Sequence, residues 1–379
     1  AKPATRRVRS RRSKVATPLN DFSERVRRRL REATGIERRS VLLSASHTHY
    51  GPVTAPEMDW PPGGAFKTQV EAHARRLEET LAGIGRRALE AAGPARLSWG
   101  TGIAHLVANR REYTANGVVL GLNPRGPADR SVPVLRVEDP DGALRAVVFG
   151  AAAPPACFGG RYDRVNGDYP GYVQLEVERR YPGAVAMFVT GRAGDAAPFL
   201  RGTSGAAKTH GASLAEEVGR VLTSGKLQPL SGPLRTELRR VNLPLRNFPR
   251  AEAAALGGEA WQKHAGERMV KILDGGGELP KHYTAPFALW RFGRGLTLVG
   301  FSGETVVDYV SLAEQHFGPL NLWAAGYTND VFGYLPSARV LREGGYETRG
   351  LYLGAGVFDP RVEDAAGNAL ADMARAGGR

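Results

Sequence analysis

The chain has 379 residues, which is enough for one large domain or two average ones. Hydrophobic residues make up 42% and charged residues 24%, a globular composition that excludes a wholly disordered chain. The single cysteine, Cys157, excludes an intramolecular disulfide framework and a cysteine-based zinc finger. A formal net charge of +14 makes nucleic acid a partner to be considered.

The positive charge is concentrated at the start of the chain. Residues 1–40 hold 14 Lys and Arg against 4 Asp and Glu, so ten of the fourteen net charges lie there. Residues 1–20 contain seven basic residues and no acidic one, which predicts a flexible basic arm. No aromatic residue precedes Phe22, so the arm offers no platform on which bases could stack. We therefore expect no nucleic-acid partner. We also expect no intact signal peptide and no transmembrane segment, because no apolar run is long enough.

Hydrophobic periodicity and turn residues predict a chain in which helices and strands are interspersed. Helices are predicted at residues 21–34, 67–92, 169–180, 210–223, 250–273 and 302–316. Strands are predicted at residues 41–46, 96–100, 132–137, 144–150, 184–190, 234–245, 287–292, 296–301 and 320–325. Residues 109–130 and 326–334 are predicted to be loops. This order predicts an α/β fold with mixed α+β character, a single large domain with a mixed β-sheet core flanked by helices.

The first segment with chemical potential is Ser46-His47-Thr48-His49, directly after a predicted buried strand. On an extended backbone, residues i and i+2 point to the same face, so the two imidazoles would face one site. Neutral imidazole is a good zinc ligand, which favours metal binding or catalysis. The alternative is a pair of hydrogen-bonded histidines in a loop.

Four further polar residues follow predicted strands or precede predicted helices. Glu304 and Asp168 stand where a helix begins, and each could bind a ligand or only cap the helix. Asp195 follows a buried strand, where a Gly-Asp step could supply backbone amides or a carboxylate, or simply form a turn. Tyr334 closes the loop 326–334, where it could be a ligand or a packing residue.

Taken in order, six blocks of the sequence resemble the catalytic domain of the neutral/alkaline (non-lysosomal) ceramidase family, in its short bacterial form. The blocks are residues 41–52, 166–171, 191–198, 301–304, 326–336 and 343–347. The resemblance extends over residues 22–352 and implies that residues 21–379 form a ceramidase-like zinc hydrolase domain. It implies an amidase that cleaves an N-acyl, sphingolipid-like amide through a zinc-activated water. It also implies a secreted or periplasmic location and peripheral contact with membranes.

The resemblance assigns roles to residues by position. It implies that His47, Glu304 and Tyr334 are zinc ligands. The catalytic residues that it implies are His49 beside the metal, Arg110 at the substrate carbonyl or oxyanion, and Asp195 next to the site; the substrate-binding residues are Tyr50 and Asp168.

Two positions depart from the family pattern. Pro154 stands where the family has its second zinc histidine, and proline has no side-chain donor for a metal. Ala197 stands where the family has a serine. His210 and His105 are candidates for a replacement ligand, and His49 is another.

Three hypotheses follow from the sequence. The leading one is a zinc-dependent amide hydrolase that acts on a small, lipid-like N-acyl substrate. The second is a catalytically impaired homologue that binds a ligand or partner in the same cleft, since Pro154 removes a metal ligand. The third is a nucleic-acid binder that uses the basic arm.

Overall fold

The computed structural model describes residues 20–55, 66–159, 162, 164–354 and 356–376. Within these ranges the chain forms nine α-helices and fourteen β-strands. The helices are α1 (Asn20–Thr34), α2 (Lys67–Glu90), α3 (Asp168–Arg180), α4 (Ser204–Thr223), α5 (Arg250–Ala254), α6 (Ala260–Asp274), α7 (Asp308–Phe317), α8 (Ala338–Glu343) and α9 (Val362–Ala376). The strands are β1 (Arg96–Ile103), β2 (Val107–Thr114), β3 (Gly117–Asn123), β4 (Ser131–Glu138), β5 (Leu144–Ala151), β6 (Val185–Thr190), β7 (Ala196–Pro198), β8 (Gln228–Leu230), β9 (Leu234–Pro244), β10 (His282–Phe292), β11 (Leu296–Gly300), β12 (Glu304–Thr305), β13 (Leu322–Ala325) and β14 (Tyr334–Leu335).

Two mixed sheets pack face to face at the centre of the fold. One has the strand order β6-β5-β4-β1-β8 and the other has the order β13-β11-β10-β9. Trp99, Leu135, Leu298 and Trp323 belong to one buried apolar cluster that joins the two sheets. The indole N–H of Trp99 also donates to the carbonyl of Gly295 at 2.9 Å, which fixes the sheets at this edge.

The outer face of each sheet is covered by helices. Along β4, Val132 and Val134 belong to the cluster formed with α3 and α4, whereas Leu135 faces the other sheet. This alternation is what a strand buried on both faces requires. Helices α7 and α9 cover the second sheet, with Met373 of α9 in the same buried cluster as Phe287 of β10. The result is a four-layer α/β/β/α arrangement, which confirms the predicted mixed α/β fold.

Four predicted elements need correction. Residues 41–46 are not a strand, because among the described residues their only ladder contact is an isolated bridge between Ser44 and Thr328. Residues 109–130 are not a loop, since they contain most of the hairpin β2–β3. The predicted helix at 250–273 is divided into α5 and α6, and the helix predicted from residue 302 begins only at Asp308.

The loops that bear polar residues gather where parallel strands end. Strands β5 and β6 pair in parallel, as do β11 and β13. Backbone hydrogen bonds join their ends, since Gly326 N donates to Thr190 O at 3.0 Å and Gly191 N donates to Ala151 O at 2.9 Å. The carboxyl ends of parallel strands are where sites of α/β proteins form. The predicted basic arm at residues 1–20 lies, except for Asn20, outside the described residues.

Candidate active site

The segment that carries His47 and His49 is held by hydrogen bonds to a neighbouring loop and to the end of β6. Ala45 N donates to Tyr327 O at 3.0 Å, and the hydroxyl of Thr190 donates to Ala45 O at 2.8 Å. His47 has a φ of +59°, a value that residues with a side chain rarely adopt. The two imidazole rings meet edge to face, with their centroids 5.2 Å apart. The segment thus places both imidazoles at one site without being a strand.

Glu304 meets His47 in the interior, and its side chain accepts hydrogen bonds on both oxygens. The Nε2 of His47 lies 3.1 Å from Oε2, the oxygen that also accepts from the hydroxyl of Tyr327 at 3.3 Å. The hydroxyl of Tyr352 donates to Oε1. Glu304 lies in β12, which pairs in parallel with Tyr334 of β14. The prediction that Glu304 begins a helix is therefore wrong.

The environment of Glu304 keeps its carboxylate ionised. Burial raises the pKa of the carboxyl, but this effect is outweighed by the neighbouring His47 and by the hydrogen bonds from His47 and Tyr352. Arg110 contributes a further attraction, and the net result is a pKa well below the usual value. Glu304 is 1% exposed, so its negative charge is buried and is stabilised by the groups that contact it.

Arg110 extends from β2 toward Tyr334, and a buried carboxylate holds its side chain. Its Nε donates to Oε1 of Glu347 at 3.1 Å, and its Nη2 donates to the hydroxyl of Tyr334 at 3.1 Å. The guanidinium carbon lies 5.4 Å from the ring centroid of Tyr334 and 5.8 Å from that of Tyr346. Arg110 is therefore fixed by an anion on one side and by two aromatic rings on the other.

A β-bulge explains how two consecutive arginines reach one carboxylate. The pairing of β2 with β3 shifts register between Asn109 and Arg111. Arg111 consequently donates from Nη1 to Oε2 of Glu347 at 2.6 Å, beside Arg110 on Oε1. Arg111 also donates from Nη2 to Glu343 at 3.0 Å. These ion pairs bridge β2 to the segment around α8.

A pocket of about 460 Å³ opens above these residues. It combines imidazole, guanidinium and phenol groups with small apolar side chains and backbone. The residues that line it include His47, His49, Tyr50, Arg110, Leu120, Pro154, Ala156, Tyr162, Ala197, Arg201, Glu259, Tyr334, Tyr346 and Tyr352. Six of the predicted site residues therefore come together here. Five of them line the pocket wall: His47, His49, Tyr50, Arg110 and Tyr334. The sixth, Glu304, contacts His47 directly.

Asp195 lies behind the pocket wall and joins three segments. Its Oδ1 accepts from Val307 N at 2.8 Å, its Oδ2 accepts from the amide of Asn109 at 3.2 Å, and its carbonyl accepts from Arg110 N at 2.9 Å. Burial raises the pKa of Asp195 to about 7, assisted by the negative charge of Asp308 and opposed by the hydrogen bond from Val307. Asp195 positions the strand that bears Arg110.

Tyr50 lines the pocket, whereas Asp168 lies outside its lining. The carboxylate of Asp168 accepts from the backbone N–H of Cys157 at 2.8 Å and of Tyr169 at 2.6 Å, and it does not line the pocket. Burial raises the pKa of Asp168 despite these bonds. Tyr50 lines the pocket and packs edge to face on Tyr162. Burial and the charge of Asp168 raise the pKa of Tyr50 to about 12, so its phenol is protonated at neutral pH.

Solved structures show which fold this arrangement belongs to. The chain matches the neutral ceramidase from Pseudomonas aeruginosa with a TM-score of 0.69 at 19% identity, over 95% of this chain. It matches a ceramidase solved in complex with C2 with a TM-score of 0.71 at 17% identity, again over 95% of this chain. The chain has the neutral ceramidase fold. The fold implied by the sequence motifs is thereby confirmed.

This chain spans 64% and 66% of the lengths of those two ceramidases. No protein-family model matches the sequence, and no curated protein sequence does either. At 17–19% identity the match concerns the ceramidase fold, while the residues of the pocket have to be judged on their own chemistry.

The two departures from the ceramidase pattern both face the pocket. Pro154 and Ala197 both line it, so both departing positions lie at the site. Neither His210 nor His105 is among the lining residues, and Nε2 of His210 is hydrogen-bonded to the carbonyl of Leu200 at 2.8 Å. Of the replacement ligands considered from the sequence, only His49 lies in the pocket.

The donors available to a metal in this ceramidase-fold pocket are few. In the part of the chain that the structure describes, no three His, Cys, Asp or Glu side chains form a metal-binding group. His47 and Glu304 contact each other, and the phenol of Tyr334 is a further oxygen donor in the pocket wall. The Nδ1 of His47 is buried and has no hydrogen-bond partner among the described residues.

Several residues that line the pocket, or that contact Arg110 and Glu304, were not predicted as site residues. Tyr346 and Glu347 belong to the block 343–347, and Tyr327 belongs to 326–336, so the motifs could have pointed to them. Tyr352 carries no comparable signal, because it lies beyond the last block and meets Glu304 only through the folding of the chain.

Proposed function

We propose that this chain binds a small, lipid-like N-acyl amide in the 460 Å³ pocket and hydrolyses its amide bond. In this proposal a Zn²⁺ ion is held by His47, Glu304 and Tyr334. The observation that carries the proposal is the buried contact between Nε2 of His47 and Oε2 of Glu304 at 3.1 Å, in a pocket that Arg110 also lines. The ceramidase fold supports the choice of an amide as substrate.

The chemistry of the donor set fits a zinc ion with three protein ligands. Two ligands of one tetrahedral zinc, each about 2.0–2.2 Å from the metal, lie roughly 3.3 Å apart. The contact between His47 and Glu304 is close to that separation. Tyr334 pairs with Glu304 across β12 and β14, so a phenol oxygen is at hand as a third donor. Catalytic zinc sites hold three protein ligands and leave one position open.

Zinc bound there would supply Lewis-acid polarisation of the amide carbonyl and a nucleophile at neutral pH. Arg110 lines the pocket, and its charge would stabilise the negative charge that develops on the carbonyl oxygen. Glu347 and Tyr346 hold the guanidinium of Arg110 in place before substrate arrives. In this proposal His49, whose ring packs against that of His47, would transfer a proton to the leaving amine.

The wall of the pocket suits an amphiphilic substrate. Tyr50 and Tyr162 present aromatic faces, while Ala156 and Leu120 add aliphatic surface. A volume of 460 Å³ accommodates the reacting amide and a short part of an acyl chain, so a longer chain would extend through the mouth. Tyr50 is a substrate-binding residue in this proposal, whereas Asp168 and Asp195 act through the backbone that they hold.

A second candidate function is ligand binding without turnover. Pro154 and Ala197 favour it, since both face the pocket and neither offers a donor to a metal or a nucleophile to a substrate. The loss of a zinc ligand lowers metal affinity, because affinity depends on the number and geometry of donors. Under this alternative the same pocket holds the N-acyl amide and releases it unchanged.

Hydrolysis of a fluorogenic short-chain N-acyl amide in the presence of zinc distinguishes the two functions. The proposal expects turnover by the wild-type protein, which falls by at least about a hundredfold in the variant His47→Ala. His210→Ala is the matched control, because His210 is a buried histidine outside the pocket. Saturable binding of the amide without any product would support the second candidate instead.

A further inference from the structure

Tyr352 places a second phenol beside the proposed metal ligands. Its hydroxyl donates to Oε1 of Glu304, while Nε2 of His47 lies 3.1 Å from the other carboxylate oxygen, Oε2. Tyr352 lines the pocket, as His47 and Tyr334 do, and its ring centroid lies 6.4 Å from that of Tyr334. Glu304 therefore has an imidazole at one oxygen and a phenol at the other.

The backbone fixes Tyr352 at this place. Gly333 forms an isolated bridge with Leu351. The residues that follow these two, Tyr334 and Tyr352, therefore lie on neighbouring segments. At Gly333 the φ is +131°, and an added Cβ would lie 3.1 Å from the carbonyl oxygen of Gly350, so the close approach of the two segments requires glycine. Strand β14 also pairs with β12, and each of the three segments carries one oxygen donor.

The side chain of Tyr352 is held before any metal ion arrives. The ring is buried and packs edge to face on Trp261, with the centroids 4.9 Å apart. An ion bound by Glu304 would compete with Tyr352 and His47 for the carboxylate oxygens that these two now contact. Imidazole, carboxylate and phenol are all donors that first-row divalent metal ions accept. A fourth protein ligand still leaves a position open, because zinc can expand to five ligands.

We infer that Tyr352 is a fourth protein ligand of the metal ion, in addition to the three proposed above. The donor set would then comprise one imidazole, one carboxylate and two phenols. In a pocket where Pro154 offers no donor, Tyr352 supplies oxygen instead of a second imidazole. The inference rests on the proposed function, because it requires a metal ion in this pocket.

The test uses Cu²⁺ as a probe, because zinc has no visible absorption and Cu²⁺ binds the same nitrogen and oxygen donors. A phenol oxygen bound to Cu²⁺ gives a visible charge-transfer band, whereas a phenol that only donates a hydrogen bond to a ligand gives none. The full wild-type chain with one equivalent of Cu²⁺ should show this band. In Tyr352→Phe the band should fall by about half, because one of two bound phenols is lost.

Tyr327→Phe is the matched control. Tyr327 also donates to Glu304, at 3.3 Å, but it does not line the pocket, so this variant should keep the whole band. Tyr334→Phe is a second variant, and it should retain about half of the band because Tyr352 remains bound. An undiminished band in Tyr352→Phe, an equal loss in Tyr327→Phe, or complete loss in Tyr334→Phe would overturn the inference.

Zinc affinity separates this inference from the proposed function. Tyr352→Phe should bind zinc at least about tenfold more weakly than the wild type, as measured by competition with a chromophoric chelator. Equal zinc affinity in the two proteins would overturn the role of Tyr352 and leave the site of three ligands standing. A wild type that binds neither zinc nor Cu²⁺ would overturn both. Loss of a group that only orients a ligand also weakens metal binding, so the charge-transfer band decides between the two roles.

Discussion

Glu347 and Arg110 form a buried ion pair across 237 positions of the chain, with Nε of Arg110 donating to Oε1 of Glu347 at 3.1 Å. The carboxylate is 1% exposed and has a second cation, Arg111, on its other oxygen at 2.6 Å. One buried anion thus neutralises part of the charge of two arginines and directs one of them into the pocket. Within this fold Glu347 is the residue on which the position of Arg110 depends.

Replacing Glu347 with Gln should destabilise the protein markedly. The amide retains one acceptor for two guanidinium groups, and a buried cation left without its partner costs about 3 kcal/mol or more. Urea denaturation should show this loss in the free energy of unfolding. Glu343→Gln is the control, because Arg111 keeps its bonds to Glu347 and to the carbonyl of Gly344. A loss of the same size in both variants would contradict the special role of Glu347.

Asp195 should make stability fall as pH rises. Burial raises its pKa from 3.8 to about 7 in the folded chain, so the folded state holds this proton more tightly than the unfolded state does. The proton's contribution to stability is greatest below about pH 4 and declines between pH 4 and 7, by about 4 kcal/mol in total. Above about pH 7 Asp195 is ionised in both the folded and the unfolded chain, so its contribution to the free energy of unfolding no longer changes with pH.

The variant Asp195→Asn isolates this effect, since asparagine does not titrate. The free energy of unfolding of the wild type, minus that of the variant, should decrease from pH 5 to pH 7.5. Any bond that asparagine fails to make with Val307 or Asn109 shifts this difference by a constant and leaves its slope unchanged. A difference that does not vary with pH would show that Asp195 is already ionised at pH 5.

Cys157 should be inert in the native protein. Its side chain is fully buried, and burial together with the nearby Asp168 raises the pKa of the thiol far above its usual value. Thiolate is the reactive form, so labelling by Ellman's reagent should be undetectable over hours in buffer at pH 8. In guanidinium chloride one thiol per chain should react within minutes. Rapid native labelling would place Cys157 at the surface.

Pro154→His should tighten zinc binding. Pro154 lines the pocket that also holds His47, so an imidazole there adds a strong donor to the proposed set. We expect the zinc dissociation constant to fall by about tenfold or more, as measured by competition with a chromophoric chelator. Ala156→His, which adds an imidazole elsewhere in the wall, is the control. Equal affinities for all three proteins would contradict the view that Pro154 occupies a ligand position.

The layers of the fold could be predicted because local patterns agree with tertiary burial. Phe22, Val26 and Leu30 recur at i, i+4 and i+8, and all three are buried where α1 meets α2. The hairpin β2–β3 could not be recognised in the same way. Strand β3 contains two glycines and no buried residue, and it is a strand because β2 pairs with it.

The site could be predicted only where its residues share a short motif. His47 and His49 are two positions apart, so their convergence on one site could be expected. It occurs even though the strand predicted before them does not form. The contacts of Glu304 with Tyr352 and of Arg110 with Glu347 span 48 and 237 positions. Such pairs depend on the packing of several loops, which hydrophobic periodicity does not encode.

The zinc content of the purified protein tests the central proposal most directly. After saturation with zinc and gel filtration, the account predicts close to one zinc ion per wild-type chain, measured by inductively coupled plasma mass spectrometry. His47→Ala and Glu304→Gln should each retain little zinc, because each removes one of three donors. His210→Ala should match the wild type. Zinc near zero in the wild type, or unchanged in His47→Ala, would contradict the proposed metal site.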